Sequence, residues 1–330
     1  MPQQARVRKQ TVVDYSSGNK VQKSLSRGMV YRELLLELSL APTLLAANNT
    51  TAKTLRGDEW AVVKKIEIIA NGTDVIKSIS GKALRWLNMI WNHAMPGLSA
   101  ALGDGATANP ACKSILVLPF WQSDSIRPID TALDSSVLSD LQIAVTWGTF
   151  TDINADASAW TTQPTLTVFS KESFGFDQAP VFSNYRFFEI SQNIAATNGD
   201  LQVALPVGPV YRAFTLLMDD AGVEKTGLLN NLKLSSGTTI FADIDAFTLN
   251  DNFTARMGMS RWVNGAEEMK QVSAKSSIQG VYHYDHVQDG YLSEGIDTVG
   301  LSEFLLRLDV TVGGGTTTAL IVPHQIIPVR

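Results

Sequence analysis

Four histidines, one cysteine and a few close carboxylate pairs are the residues that could do covalent or metal chemistry. A zinc, iron or manganese site takes three or four His, Cys, Asp or Glu ligands. Only His283-Tyr284-Asp285-His286 brings two histidines close, while His93 and His324 stand alone. On a strand, positions 283 and 286 point to opposite faces, so this run reads as a strand passing into a loop. A hydrolytic triad needs a Ser or Cys nucleophile with a His base. There is no Gly-x-Ser-x-Gly elbow, and Cys112 opens an apolar run in which it reads as a small core residue. Asp243-Ile244-Asp245 and Glu267-Glu268 offer the paired carboxylates of a glycosidase. Gly103-Asp104-Gly105 and Gly313-Gly314-Gly315 lack the Gly-Lys-Ser/Thr of a phosphate loop and read as flexible loop tips. The expectation is a chain with no catalytic set, no cofactor and no metal.

What positions these residues is a repeat. Gly28-Met29-Val30-Tyr31-Arg32 returns as Gly208-Pro209-Val210-Tyr211-Arg212. Ile129-Asp130-Thr131 returns as Ile296-Asp297-Thr298, and Val145-Thr146-Trp147-Gly148 as Val310-Thr311-Val312-Gly313. The offsets are 180 (208 minus 28), 167 (296 minus 129) and 165 (310 minus 145). A shrinking offset is what a duplication followed by loop deletion leaves. Neither dyad of carboxylates and no histidine belongs to the repeat, which argues against a site shared by both copies.

The elements are mostly strands. Val30–Leu40 is apolar with Glu33 and Glu37 set into it, and Val62–Ala70 leads to Asn71-Gly72, a hairpin turn because both residues tolerate positive φ. Thr73–Ile79, Ser114–Phe120, Leu138–Trp147 and Thr165–Ser170 follow, and the second half replays the series from Tyr211–Met218 to Thr318–Val322. A helix is expected after each hairpin. Ser80 caps the first, whose Leu84, Leu87, Trp91 and Ala94 share a face; the second runs over roughly Phe247–Met257. Many strands, few helices and long polar loops give an all-β chain of two tandem sandwiches. The expected division is an arm at 1–27, a first sandwich at 28–175 and a second at 176–330, with Lys171–Pro180 as the connector.

Charge is unevenly placed. Residues 1–27 hold Arg6, Arg8, Lys9, Lys20, Lys23 and Arg27 against Asp14 alone, while the whole chain carries −5. A basic arm on an acidic body is suited to an anionic surface, either lipid headgroups or nucleic acid. Charged residues make up 18% of the chain, low against the roughly 25% of soluble domains, which fits broad covered interfaces. One cysteine precludes an intrachain disulfide, and no apolar run approaches the ~18 residues that cross a bilayer, so a reducing compartment is expected.

Two tandem sandwiches behind a basic arm, each with a hairpin followed by a helix, resemble the double jelly-roll major capsid proteins of tailless, internal-membrane-containing icosahedral bacteriophages. Trp60-Ala61-Val62-Val63-Lys64-Lys65-Ile66-Glu67-Ile68-Ile69-Ala70-Asn71-Gly72, with the amphipathic helix after it, is the stretch most similar to a first roll of that family. The resemblance implies two eight-stranded jelly rolls and no active site. It implies homotrimers of pseudo-hexagonal outline that tile a virion shell, assembled in the host cytoplasm. The implied partners are further copies of the chain, minor capsid and vertex proteins, and the lipids of an internal membrane. Arg6, Arg8, Lys9, Lys20 and Lys23 would form the arm that faces the membrane or interior, and any contact with nucleic acid would be non-specific. The other reading is a two-domain sandwich enzyme or carbohydrate-binding protein, cupin-like or lectin-like.

Overall fold

The computed structural model describes residues 4–44, 58–92, 99, 111–122, 125, 127–153, 157–174, 183–250, 280–287 and 290–327. The chain forms two compact units, one reaching Phe187 and the other running from Phe188 to Pro328.

The first unit contains β1 (Gln4–Asp14), β2 (Lys20–Ser24), β3 (Val30–Leu44), β4 (Val63–Ala70), β5 (Asp74–Ile79), α1 (Gly81–Asn92), β6 (Cys112–Pro119), β7 (Leu133–Asp134), β8 (Leu141–Trp147), β9 (Ala157–Phe174) and β10 (Asn184–Phe188). One layer runs β1-β9-β3-β6, with β7 also on β3; the other runs β2-β8-β4-β5-β10. Period-two alternation selects the core. On β3, Leu34, Leu36, Leu38 and Leu40 are buried, while Glu33 and Glu37 face the other way and meet Lys171 and Lys113, each at 3.0 Å. Leu141, Ile143, Val145 and Trp147 of β8 and Ile66 and Ile68 of β4 are buried as well. The β4–β5 hairpin turns through Asn71 and Gly72 at φ of 52° and 80°, as their residue types require. At the head of α1 the Ala83 amide donates to the Ser80 hydroxyl at 3.1 Å. Asn88 fastens the helix to β6, donating to the Val117 carbonyl at 2.8 Å and accepting from the Val117 amide at 2.6 Å.

The second unit contains β11 (Ile190–Ile194), β12 (Asn198–Ala204), β13 (Val210–Asp220), β14 (Val223–Glu224), β15 (Leu229–Ser236), β16 (Thr239–Asp245), β17 (Val281–Asp285), β18 (Ile296–Asp297), β19 (Leu305–Val310) and β20 (Thr317–Ile327). Its layers are β12-β19-β15-β16 and β13-β20, with β11 on β20 and β14, β17 and β18 on β13. Phe214, Leu216, Met218, Leu232, Leu234, Phe304, Leu306 and Leu308 lie in its core. Residues 246–250 are helical, at the place where the second helix is expected; the rest of Phe247–Met257 lies outside the described residues.

Strand pairing repeats from unit to unit. β3 pairs with β6, β7 and β9 as β13 pairs with β17, β18 and β20. β4 pairs with β5 and β8 as β15 pairs with β16 and β19, and β2 lies on β8 as β12 lies on β19. Register corrects two of the three sequence matches. Tyr31 faces Leu133 and Tyr211 faces Ile296, so Leu133-Asp134-Ser135, not Ile129-Asp130-Thr131, is the counterpart of Ile296-Asp297-Thr298. The chemistry agrees, because Ser135 accepts from the Met29 amide and donates to the Met29 carbonyl, while Thr298 accepts from the Gly208 amide and donates to the Pro209 carbonyl. Likewise Val63 faces Trp147 and Leu229 faces Val310, which makes Trp147 the counterpart of Val310 and puts the Val-Thr match two residues out of step. Leu133, Ile296, Trp147 and Val310 then share one offset of 163 (296 minus 133; 310 minus 147).

The expected arm is not separate. Within its described part, 4–27, it supplies two edge strands of the first unit, β1 and β2, hydrogen-bonded to β9 and β8. Its charges hid an alternating strand pattern, with Arg6, Arg8 and Gln10 on one side and Val7 and Lys9 on the other. The expected connector also begins later, since Lys171–Phe174 continues β9.

Candidate assembly surfaces

Glu172 organises the basic strand. Its side chain is wholly buried, yet it has four donors: Arg6 Nε at 2.8 Å, Arg8 Nη2 at 3.0 Å, Gln10 Nε2 at 2.9 Å and Ser170 Oγ at 2.8 Å. Gln10 shares this face with Arg6 and Arg8 by alternation, and the β1–β9 register shifts just there, between Lys9 and Thr11. Burial alone would push the Glu172 carboxyl up; the hydrogen bonds from Arg6 and Ser170 and the charges of Arg8 and Arg6 outweigh it and hold the group below the usual range. Tyr31 faces Glu172 across the β3–β9 pair, and burial first, then the Glu172 charge, raise its phenol. In the second unit Gln325 takes this place opposite Tyr211 and donates to the Tyr211 hydroxyl at 2.7 Å. The neutral amide needs no arginine.

The other expected arm residues are distributed. Lys20 pairs with Glu67 at 2.6 Å, and Lys65 reaches the same carboxylate at 2.9 Å. Burial works against that charge, and the two lysines more than offset it, so the Glu67 carboxyl sits below its ordinary value. Lys23 stands 3.9 Å from the exposed Asp14, and Lys9 is exposed. The five cations therefore go to several places, and Arg6 and Arg8 converge on one carboxylate. Sequence reasoning missed Glu172. The available signal was the alternation of Ser170 and Glu172 with Lys171, which puts both polar residues on the inner side of a strand.

His283 Nδ1 and His324 Nε2 lie 2.9 and 3.0 Å from the Thr215 hydroxyl, and His286 Nδ1 lies 2.8 Å from the Tyr284 hydroxyl. Positions 283 and 286 thus go to different partners. His93, Gly103-Asp104-Gly105 and Glu267-Glu268 lie outside the described residues. Among the described residues no three His, Cys, Asp or Glu groups could hold a metal ion. Cys112 is buried and its thiol is pushed up to about 11, by burial first and then by the Glu59 charge. Asp243 accepts from Asn231 Nδ2 at 2.7 Å, and Asp245 accepts the Thr248 amide at 2.9 Å at the head of the second helix. The Gly314 and Gly315 amides donate to the Asp220 carboxylate at 3.0 and 2.7 Å, so this glycine run is a cradle for a carboxylate of its own chain rather than a free tip.

The same layers, the same pairings and the same corner recur. Tyr31 and Tyr211 are each fully buried, and each donates its hydroxyl to the carbonyl five residues earlier, that of Ser26 and, at 2.6 Å, that of Pro206. No family model and no curated protein matches the sequence. Solved structures do. The major capsid protein P2 of bacteriophage PM2 aligns with 14% identity and a TM-score of 0.60, covering 99% of this chain and 98% of that one. The major capsid protein of Sulfolobus turreted icosahedral virus aligns with 12% identity and a TM-score of 0.68, covering 98% and 97%. The PBCV-1 capsid aligns with 12% identity and a TM-score of 0.62, covering 98% and 93%.

The chain is a double jelly roll. In this double jelly roll the first roll spends a buried carboxylate and two arginines on holding its leading strand, and the second spends none. Among the described residues the double jelly roll also leaves long strands at the ends of its layers, β1 and β6 in the first unit and β12 and β16 in the second. Open edges of this kind are sites for strand addition unless something covers them.

Proposed function

We propose that this chain is the major capsid protein of an icosahedral virion, assembling as trimers that present six jelly rolls to a hexagonal lattice. The observation that carries the reading is whole-chain likeness to capsid proteins, over 97–99% of both partners in the two highest-coverage comparisons. The internal repeat gives it a physical reason. A hexagonal tile needs six similar edges, and a closed trimer of a duplicated fold supplies them. The two-domain enzyme or lectin reading is not favoured. Its ligand groups would have to recur in both rolls, and Val117 and Phe120 stand where the second roll has His283 and His286.

The finer division of the chain belongs to the same proposal: two rolls that meet between 175 and 188, the first carrying the basic N-terminal strands. These strands face the shell interior and an internal membrane, with Lys9 and Lys20 exposed, Lys23 half-buried, and Arg6 and Arg8 held by Glu172. Minor capsid and vertex proteins are further partners, and host cytoplasm is the assembly site. Negative-stain electron microscopy of the concentrated protein tests the reading, with hexagonally packed capsomers or curved sheets expected. Flotation with anionic vesicles tests the lipid contact; Lys9→Glu with Lys23→Glu is expected to reduce binding, and equal binding of this variant would remove the membrane role from these strands.

A further inference from the structure

Within the first unit the outer edge of β5 is taken by β10, the segment that leads into the second repeat. A cation on β10 meets an anion on β5: Arg186 grips Asp74 at 3.1 and 3.3 Å. The repeat has a second edge of the β5 kind and a second leading segment. β16 is the counterpart of β5, paired to β15 as β5 is to β4, and it ends its layer. β11 lies on β20 as Thr11–Asp14 of β1 lies on β9, so residues 4–9, which precede that stretch, are the counterpart of β10, which precedes β11. β1 also ends its layer. Among the described residues, one leading segment has its β5-type edge, while the other leading segment and the other edge are both left open.

The two open edges are complementary. Residues 4–9 hold Arg6, Arg8 and Lys9 and no acid, and with the two arginines engaged by Glu172 it is Lys9 that faces outward; β16 holds Asp243, 3.8 Å from Lys233 of β15, and Asp245, and no base. Each also shows water a large apolar side chain, Val7 at 60% and Ile240 at 53% exposure. An edge strand with an exposed apolar residue and no cover invites pairing.

We propose that Gln4–Lys9 of one copy adds as a strand to the open edge of β16 of a second copy. The inference rests on the capsid reading and names its trimer contact. Because the donor and acceptor surfaces differ, the contact is head-to-tail, the kind that forms a ring when the rotation between copies closes, and the capsid reading puts three copies in that ring. Main-chain hydrogen bonds supply the affinity and the opposite charges select the edge.

Hydrogen exchange on the full-length wild-type chain tests it. Amides at 5–9 and 240–245 are expected to gain protection in the associated protein relative to the diluted, dissociated one. As a second arm, Asp243→Lys is expected to raise the concentration for half-association roughly tenfold, and adding Lys9→Glu to recover much of it. A wild type that associates without protection at these two stretches overturns the strand pairing and leaves the capsid reading intact. A wild type that is monomeric at every concentration overturns both.

Discussion

At the scale of the residue, two buried ionisable groups make opposite predictions. Glu172 is an acid held below its ordinary value, so it contributes stability above about pH 4.5 that is lost as pH falls through the folded value. Glu172→Gln is expected to cost about 1–3 kcal/mol at neutral pH, because Arg6 and Arg8 lose their shared anion, and to differ little from the wild type in strong acid. Urea denaturation at several pH values measures both. Lys77 is a base in a closed box. Its amine donates to the Tyr185 carbonyl at 2.6 Å and lies 4.1 Å from the Phe187 ring and 4.4 Å from the Tyr185 ring. Burial first, and then the charge of Arg186, lower it well below the ordinary lysine value. The folded state therefore releases this proton more readily than the unfolded chain, and stability rises with pH up to about 10.5. Lys77→Met keeps the volume and should be nearly neutral, whereas Lys77→Ala should cost about 2–4 kcal/mol through a cavity. Thermal melts of the two variants separate packing from charge. Neither group was legible in the sequence. Lys77 sits in an alternating strand where lysine reads as solvent-facing, and only the rings of Phe120, Tyr185 and Phe187, two of them 108 and 110 positions away, make its burial tolerable.

At the scale of the element, what was legible was what depends on neighbours in sequence. Period-two alternation located β3, β4, β6, β8 and β13, Asn71-Gly72 located the hairpin, and Ser80 located the head of α1. β1 and β2 were lost because charge dominated their composition, and their strand character comes from partners more than a hundred residues away, at 165–174 and 142–146. The repeat was found correctly at Tyr31 and Tyr211 because a buried tyrosine corner constrains residue type. It was misplaced at Ile129-Asp130-Thr131 because the true equivalence, Leu133-Asp134-Ser135, keeps only chemistry: an Asp whose carboxylate accepts the amide two residues on, then a hydroxyl. The corner predicts paired effects. Tyr31→Phe and Tyr211→Phe should each cost about 0.5–1.5 kcal/mol, since each also takes the hydroxyl away from a side-chain partner, Arg8 in the first roll and Gln325 in the second. Gly28 and Gly208, at φ of 89° and 114°, begin the two corner strands, and an added Cβ meets nothing within 4 Å at either place. Gly→Ala there should cost about 1–2 kcal/mol from backbone conformation alone, equally in the two rolls. Equilibrium unfolding of the four variants checks the equivalence.

At the scale of the whole molecule, the duplication explains what the chain keeps and what it lets diverge. Strand pairing and the tyrosine corner are kept in both rolls. The polar groups are not: Glu172 against Gln325, Val117 against His283, a lysine box against Ala242. Repeated pairing with divergent polar chemistry lets each roll hold its shape while its surface changes, which is what the proposed role as a tile would require. The proposed capsid role requires a closed ring of three chains. Multi-angle light scattering of the full-length protein across a wide concentration range measures this most directly. The account predicts a discrete species with the mass of three chains that persists on dilution into the micromolar range. A single species with the mass of one chain at every concentration would contradict it.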